Sequence, residues 1–110
     1  MQEIRVHNLP QKIAKMELAS STVVVIDLLR ATSTICQALA AGAREVVPFR
    51  EVEEALAAAA SERANLVLGG ERHGMRIDGF DLGNSPSEYT TTSVGGRRVL
   101  LTTTNGTWAL

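Results

Sequence analysis

Cysteine, aromatic residues and uncompensated charge are all scarce in this 110-residue chain. A single cysteine, Cys36, allows neither an intramolecular disulfide framework nor a cysteine-rich zinc site. Phe, Trp and Tyr make up only 4% of the residues, so the core has to be aliphatic and little aromatic surface is left for stacking bases or sugars. Lys plus Arg number 11 against 12 Asp plus Glu, a formal net charge of −1. No basic patch argues for nucleic acid, and no charge block argues for a tail. The longest apolar runs fall far short of the ~20 residues that a membrane-crossing helix needs. The first residues lack the basic segment and apolar stretch of a secretory leader, so a cytoplasmic location is expected. Hydrophobic residues are plentiful at 45%, with much alanine. The length suits one modest core and not two comfortable domains, so residues 1–110 are expected to form a single α/β domain.

The apolar pattern alternates between two periods. Ile4–His7 alternates and predicts a first strand, ended by Leu9-Pro10. Lys12–Leu18 suits a short helix or an irregular stretch. Thr22–Ile26 is a continuous β-branched run, which predicts a central strand buried on both faces. A helix over Thr32–Ala41 follows, with Ile35, Ala38 and Leu39 on its inner face and Gly42 as its terminating residue. Glu45–Phe49 predicts a strand at a sheet edge, because Pro48 cannot donate to a ladder. Val52, Ala55, Leu56, Ala59 and Ala60 carry helical spacing. Asn65–Leu68 and Arg97–Leu101 predict two more strands, separated by a long Gly-rich loop over Gly69–Asn84. Ser85-Pro86-Ser87-Glu88 has the form of a capping box that opens a short helix. Thr102–Leu110 reads as a loop turning into a further helix. Strands alternating with helices predict a three-layer α/β/α arrangement on a mostly parallel sheet.

Such a sheet brings the carboxyl ends of its strands to one edge, where ligands bind. Three polar clusters follow predicted strands and so are expected to converge there. The first is Asp27-Leu-Leu-Arg30-Ala-Thr32-Ser33-Thr34. Asp27 suits a metal ligand, a nucleophile or a general base, or else a partner for Arg30. Arg30 suits a bidentate grip on phosphate or carboxylate, and the hydroxyls suit an anion or simple helix capping. The second is Gly69-Gly-Glu71-Arg72, offering another carboxylate and another anion clamp, or an exposed salt-bridged turn. The third is Thr102-Thr103-Thr104-Asn105-Gly106-Thr107, a hydroxyl-rich cradle without the Lys of a P-loop, or a polar turn. The loop Gly79-Phe80-Asp81-Leu82-Gly83-Asn84-Ser85-Pro86 adds a further carboxylate and an amide. His73 has no second histidine close by and is expected at the surface, and His7 is expected to be an ordinary strand residue. Cys36 has no evident His partner and is expected to be inert.

Four segments together resemble the 2-phosphosulfolactate phosphatase family, also called the ComB family. They are Val25–Thr34, Gly69–Arg72, Gly79–Pro86 and Leu101–Thr107, in the family's order and at similar spacing. The resemblance spans residues 25 to 107 and implies a ComB-like fold of which this chain is the incomplete amino-terminal part, since members are roughly twice this length. It implies a Mg²⁺-dependent hydrolysis of 2-phosphosulfolactate, or of a related 2-hydroxy acid phosphate, to 3-sulfolactate and phosphate. In methanogens that step belongs to coenzyme M biosynthesis. Trp108 departs from the family, which often carries a basic residue there.

The residues and the resemblance lead to one set of expected roles. Asp27 and Arg30 are the catalytic candidates. Asp27, Glu71 and Asp81 are the candidate Mg²⁺ ligands, since that ion prefers oxygen donors. Thr32, Ser33, Thr34, Arg72, Asn84, Ser85, Thr103, Thr104, Asn105, Gly106 and Thr107 are the candidate substrate contacts. Phosphoryl transfer depends on positioning and charge neutralisation. Attack by water on phosphorus is preferred over attack by Asp27, because Leu29 stands where the Asp-x-Asp pattern of aspartate-based phosphatases would have its second carboxylate. The expected partner is a small phosphorylated acidic molecule, with no nucleic acid or membrane, and a homo-oligomer is left open. The alternative reading is a non-catalytic α/β module binding a phosphorylated metabolite. A nucleotide-binding domain ranks below it, since neither a P-loop nor a Gly-x-Gly-x-x-Gly turn follows a strand.

Overall fold

A computed structural model of the chain describes residues 3–9, 13–108 and 110. The helices are α1 (Lys15–Leu18), α2 (Ala31–Ala40), α3 (Val52–Ala59) and α4 (Thr91–Val94). The strands are β1 (Glu45–Pro48), β2 (Leu66–Arg72), β3 (Met75–Arg76) and β4 (Arg98–Thr102), in the order β1-β4-β2-β3. β4 runs parallel to both β1 and β2, and β3 is antiparallel to β2. The sheet is therefore mixed and mostly parallel. Pro48 lies on β1 at the sheet's edge, where its missing N–H costs no ladder bond.

Strand pleating sends alternate residues to opposite faces. Val67, Val99 and Leu101 join Ala38, Ala41, Tyr89 and Val94 in one core, under α2 and α4. Leu66, Leu68 and Leu100 join Ala55, Ala59 and Phe80 in the other, under α3. Two cores on two faces give the three-layer α/β/α arrangement. The inner faces of α2 and α3 are mostly alanine, so both helices approach the sheet closely. α2 buries Ala31, Thr34 and Ala38, with Ile35 packed at the side, whereas Leu39 is half exposed, contrary to the sequence pattern. α2 ends in a Schellman motif. The Ala43 amide donates to Ala38 O and the Gly42 amide to Leu39 O, with Gly42 at a φ of 91°.

Several elements differ from expectation. Thr22–Ile26 is not a strand, and Val24 and Ile26 are 76% and 83% exposed. Its β-branched run favours extended backbone, but β4 already pairs on both sides, and no described strand is hydrogen-bonded to this segment. Ile4–His7 is likewise unpaired and exposed. In the first helix the described part is α1; Pro10 and Lys12 lie outside the described residues.

The expected loop from Gly69 is partly strand. β2 continues to Arg72, and His73-Gly74 turn it into β3 with φ values of 54° and 76°. That is the positive-φ pair of a two-residue hairpin turn. Ser85 forms no capping box. Glu88 instead accepts from the Gly83 amide at 2.9 Å, and Pro86–Glu88 is a single 3₁₀ turn. The capping box of this region is Thr90 with Ser93, at the start of α4. Beyond β4 the chain makes only a 3₁₀ turn over Gly106–Trp108, not a helix.

Tyr89 explains why β2 carries a glycine at its centre. The ring is fully buried, and its hydroxyl donates to Gly83 O at 2.6 Å. Burial, and then the charge of Glu88, push its pKa far above the ordinary phenol value. A Cβ on Gly69 would collide with that hydroxyl. Gly69→Ala should therefore lower stability by about 1–3 kcal/mol in urea unfolding, the usual range for an overpacked core.

Candidate active site at the carboxyl edge of the sheet

Asp27, Arg30, Glu71, His73, Asn84, Thr103, Thr104, Asn105 and Gly106 line one open concavity of about 300 Å³. The three polar clusters of the sequence do converge at the carboxyl ends of β2 and β4. What holds each in place follows from its hydrogen bonds.

The turn from Asp27 into α2 closes on itself. The Asp27 amide donates to Thr32 Oγ1, and the Thr32 amide donates back to Asp27 O, both at 3.0 Å. Ser33 Oγ donates to Leu28 O at 2.7 Å. Thr34, fully buried, donates to Asn84 O at 3.1 Å and so ties α2 to the loop before Pro86. None of these three hydroxyl residues lines the concavity. They hold the turn that presents Asp27 and Arg30.

The loop after β4 is also closed from within. Thr103 N donates to Thr107 Oγ1 and Thr107 N to Thr103 Oγ1, each at 3.1 Å. This ring turns Thr104, Asn105 and Gly106 towards the concavity. Among the described residues nothing accepts from the amides of Asn105 and Gly106. Gly106 passes so close to the first cluster that a Cβ there would meet Ala31 and lie 2.8 Å from Asp27 Oδ2.

Glu71 joins the second cluster to the third. Its carboxylate accepts from Thr104 N at 2.6 Å, Thr104 Oγ1 at 2.9 Å and Gly74 N at 2.9 Å. Burial disfavours its charge, but these bonds and the nearby Arg72 outweigh that and lower its pKa. Arg72 is occupied as well. Its Nη1 donates to Glu71 O, and its Nη2 to Arg50 O and Thr102 Oγ1, all at 2.9 Å. The expected anion clamp instead braces β2 against the ends of β1 and β4.

Asp81 lies elsewhere. It pairs with both terminal nitrogens of Arg63, at 2.9 and 2.7 Å, and accepts from the Leu68 amide at 2.8 Å. Burial again raises its pKa, but Arg63 and the amide prevail and hold it low. It borders a separate concavity, with Arg63, Leu66 and Arg97, at the amino-terminal end of β2. Asp27, Glu71 and Asp81 therefore do not meet. Among the described residues no three His, Cys, Asp or Glu side chains gather as a metal-binding group. Ser85 bonds to Ser87 and is not in the concavity.

Asn84 is in it, and is buried, with 7% of its surface exposed. Among the described residues its Oδ1 has no hydrogen-bond partner, although a buried amide oxygen ordinarily has one. With Asp27 and Glu71 it supplies the oxygen donors that a hard cation prefers. His73 is exposed, in agreement with the sequence reading. The positive-φ turn at His73-Gly74 also sets it on the rim of the concavity. Cys36 is exposed and lies outside the concavity.

The sequence profile described as 2-phosphosulpholactate phosphatase matches residues 7–110. A protein of Clostridium tetani named as a probable 2-phosphosulfolactate phosphatase is 48% identical over 98 residues, covering 89% of this chain and 42% of its own. Proteins of the same name from Caldanaerobacter subterraneus subsp. tengcongensis and Symbiobacterium thermophilum are 52% and 54% identical over 95 residues. Those matches cover 86% of this chain and 39% and 41% of the relatives. The chain thus spans about two fifths of the length of these curated relatives.

Glu71→Gln would turn an amide N–H₂ towards backbone donors, so it should destabilise the chain by about 1–3 kcal/mol at neutral pH. Because the folded-state pKa of Glu71 is lowered from 4.5, its contribution is present above that value and is lost as pH falls below it. The stability gap between wild type and Glu71→Gln should therefore narrow in acid, as read by urea midpoints at pH 7 and pH ~3.

Proposed function

The chain belongs to the 2-phosphosulpholactate phosphatase family, and on that footing we propose that its concavity is the phosphoryl site of a phosphatase acting on an acidic 2-hydroxy acid phosphate, 2-phosphosulfolactate or a relative of it. The observation that carries the reading is the convergence of Asp27, Arg30 and the Asn105-Gly106 amides on one open concavity. A phosphate ester brings negative charge that has to be held and neutralised. Arg30 and the two uncommitted amides are donors for its oxygens. Asp27, which the closed turn holds at the wall, is placed to orient water and take its proton as water attacks phosphorus. The ester P–O bond breaks, and the 2-hydroxy acid leaves with its oxygen, which takes up a proton from solvent while Asp27 returns its own to solvent. Glu71 stays ionised and keeps the Thr104 backbone in place, so the donors need no rearrangement.

Mg²⁺ is the proposed cofactor, with Asp27 and Asn84 as its protein ligands and Glu71 beside them. An unpartnered buried amide oxygen on a residue that shares the concavity with Asp27 fits an ion that takes one or two protein oxygens and otherwise keeps water and phosphate. Bound there, the ion would neutralise phosphoryl charge. Asp81 has no part in this set. A cytoplasmic setting suits such a substrate, and no helix among the described residues is long and apolar enough to cross a membrane.

Phosphate release from 2-phosphosulfolactate, with Mg²⁺ or with EDTA, tests the reading in this chain and in a chain of the relatives' length. Asp27→Asn should lower turnover by about 10²–10⁴-fold, the range for loss of a general base. Phosphate binding without turnover in the longer chain would instead make this a binding module, and full turnover by Asp27→Asn would remove Asp27 from the base's role.

A further inference from the structure

Arg50 is a polar residue of this edge that none of the clusters contains. Phe49 extends the ladder by donating its amide to Leu101 O at 2.8 Å, so Arg50 leaves the sheet beside the ends of β2 and β4. Its backbone is fixed there. Arg50 O accepts from Arg72 Nη2 at 2.9 Å and from Thr102 Oγ1 at 3.3 Å.

Among the described residues its side chain is held by one contact and otherwise unspent. The guanidinium carbon lies 4.1 Å from the centre of the Trp108 ring. Contact with a ring face draws on the ring's quadrupole and leaves the N–H donors, which lie in the guanidinium plane, available. Among the described residues Arg50 pairs with no carboxylate, whereas Arg5, Arg44, Arg63 and Arg98 each do. Arg72, the other arginine braced at this edge, has both terminal nitrogens committed. Trp108 in turn donates its amide to Asn105 O at 3.2 Å, within the loop that lines the concavity. Arg50 is thus tied through its backbone to β4 and through its side chain to the loop that follows.

We propose that Arg50, which lies outside the lining of the concavity and beside the Asn105 loop that forms part of it, is an anion-binding residue for the remote end of the substrate, and that Trp108 is its positioning residue. It takes the acidic group remote from the phosphate, a carboxylate or sulfonate, while Arg30 serves the phosphoryl group. The inference rests on the phosphatase reading and adds a specificity contact to it. It also places the acid-binding guanidinium on Arg50 rather than Arg72.

Calorimetric titration of sulfolactate and, separately, of inorganic phosphate into the wild type and into Arg50→Gln, Arg50→Lys and Trp108→Ala tests the proposal, in a chain of the relatives' length. None of these changes removes Arg50 O, so the brace from Arg72 remains, and circular dichroism checks that each variant is folded. Arg50→Gln should weaken sulfolactate about 3- to 10-fold, the scale of one partly exposed charged contact, and leave phosphate affinity unchanged. KM for 2-phosphosulfolactate should rise in step while kcat holds, as for a contact made equally in ground and transition states. Arg50→Lys should fall between, and Trp108→Ala should weaken sulfolactate to a lesser degree. Equal weakening of phosphate, or no change in sulfolactate affinity, would overturn the assignment while a wild type that still turns over leaves the phosphatase reading intact. A wild type that neither binds sulfolactate nor hydrolyses the ester would remove both.

Discussion

Glu71 ends the buried part of β2, and its carboxylate accepts hydrogen bonds from both the hairpin after β2 and the loop after β4. The rest of the site follows from that placement. With Thr104 fixed from below, the Thr103–Thr107 ring can point Asn105 and Gly106 at Asp27 without strands of its own. With Gly74 fixed, the tight turn carries His73 to the rim. A buried carboxylate with too few donors would be a liability. Here the donors come from two different segments, so satisfying one charge also sets the distance between them.

The second constraint is the alanine-lined approach of the helices to the sheet. Ala38 and Ala41 let α2 lie close over Val67 and Leu101, and Ala55 and Ala59 do the same for α3 on the other face. Close approach lets Thr34 reach Asn84 O and Gln37 reach Tyr89 O, so α2 is tied to both ends of the Asn84–Tyr89 segment. Asp27 is thereby positioned through α2 and its closed entry turn, not through a paired strand before it. That is why Asp27 reaches the wall of the concavity although Val24 and Ile26 are exposed.

Much of this was legible in the sequence because it depends on local chemistry. The helical spacing of Val52, Ala55 and Ala59, the terminating Gly42, the edge position of Pro48 and the convergence of three polar clusters all follow from period and residue type. What failed depends on distant partners. Thr22–Ile26 has the composition of a central strand, but composition does not supply a neighbour. Arg72 and Asp81 look like free charges in sequence, yet each is committed to groups that only the fold brings near. Glu88 fits a capping box on paper but binds the Gly83 amide, because Tyr89 draws that loop inward. Arg50 carries no signal in the sequence for the same reason, since only the sheet edge brings it beside the loop after β4.

The central claim is that one anion site lies between the Asp27 turn and the Asn105-Gly106 loop. The most direct measurement is a phosphate titration followed amide by amide in ¹H–¹⁵N spectra. The amides of Asn105, Gly106 and the Arg30 turn should shift together along one binding curve, while those of Ala64, Leu66 and Ser93 at the opposite edge stay still. Shifts confined to the Arg63–Arg97 concavity, or separate curves for the two segments, would contradict a single site at the carboxyl edge.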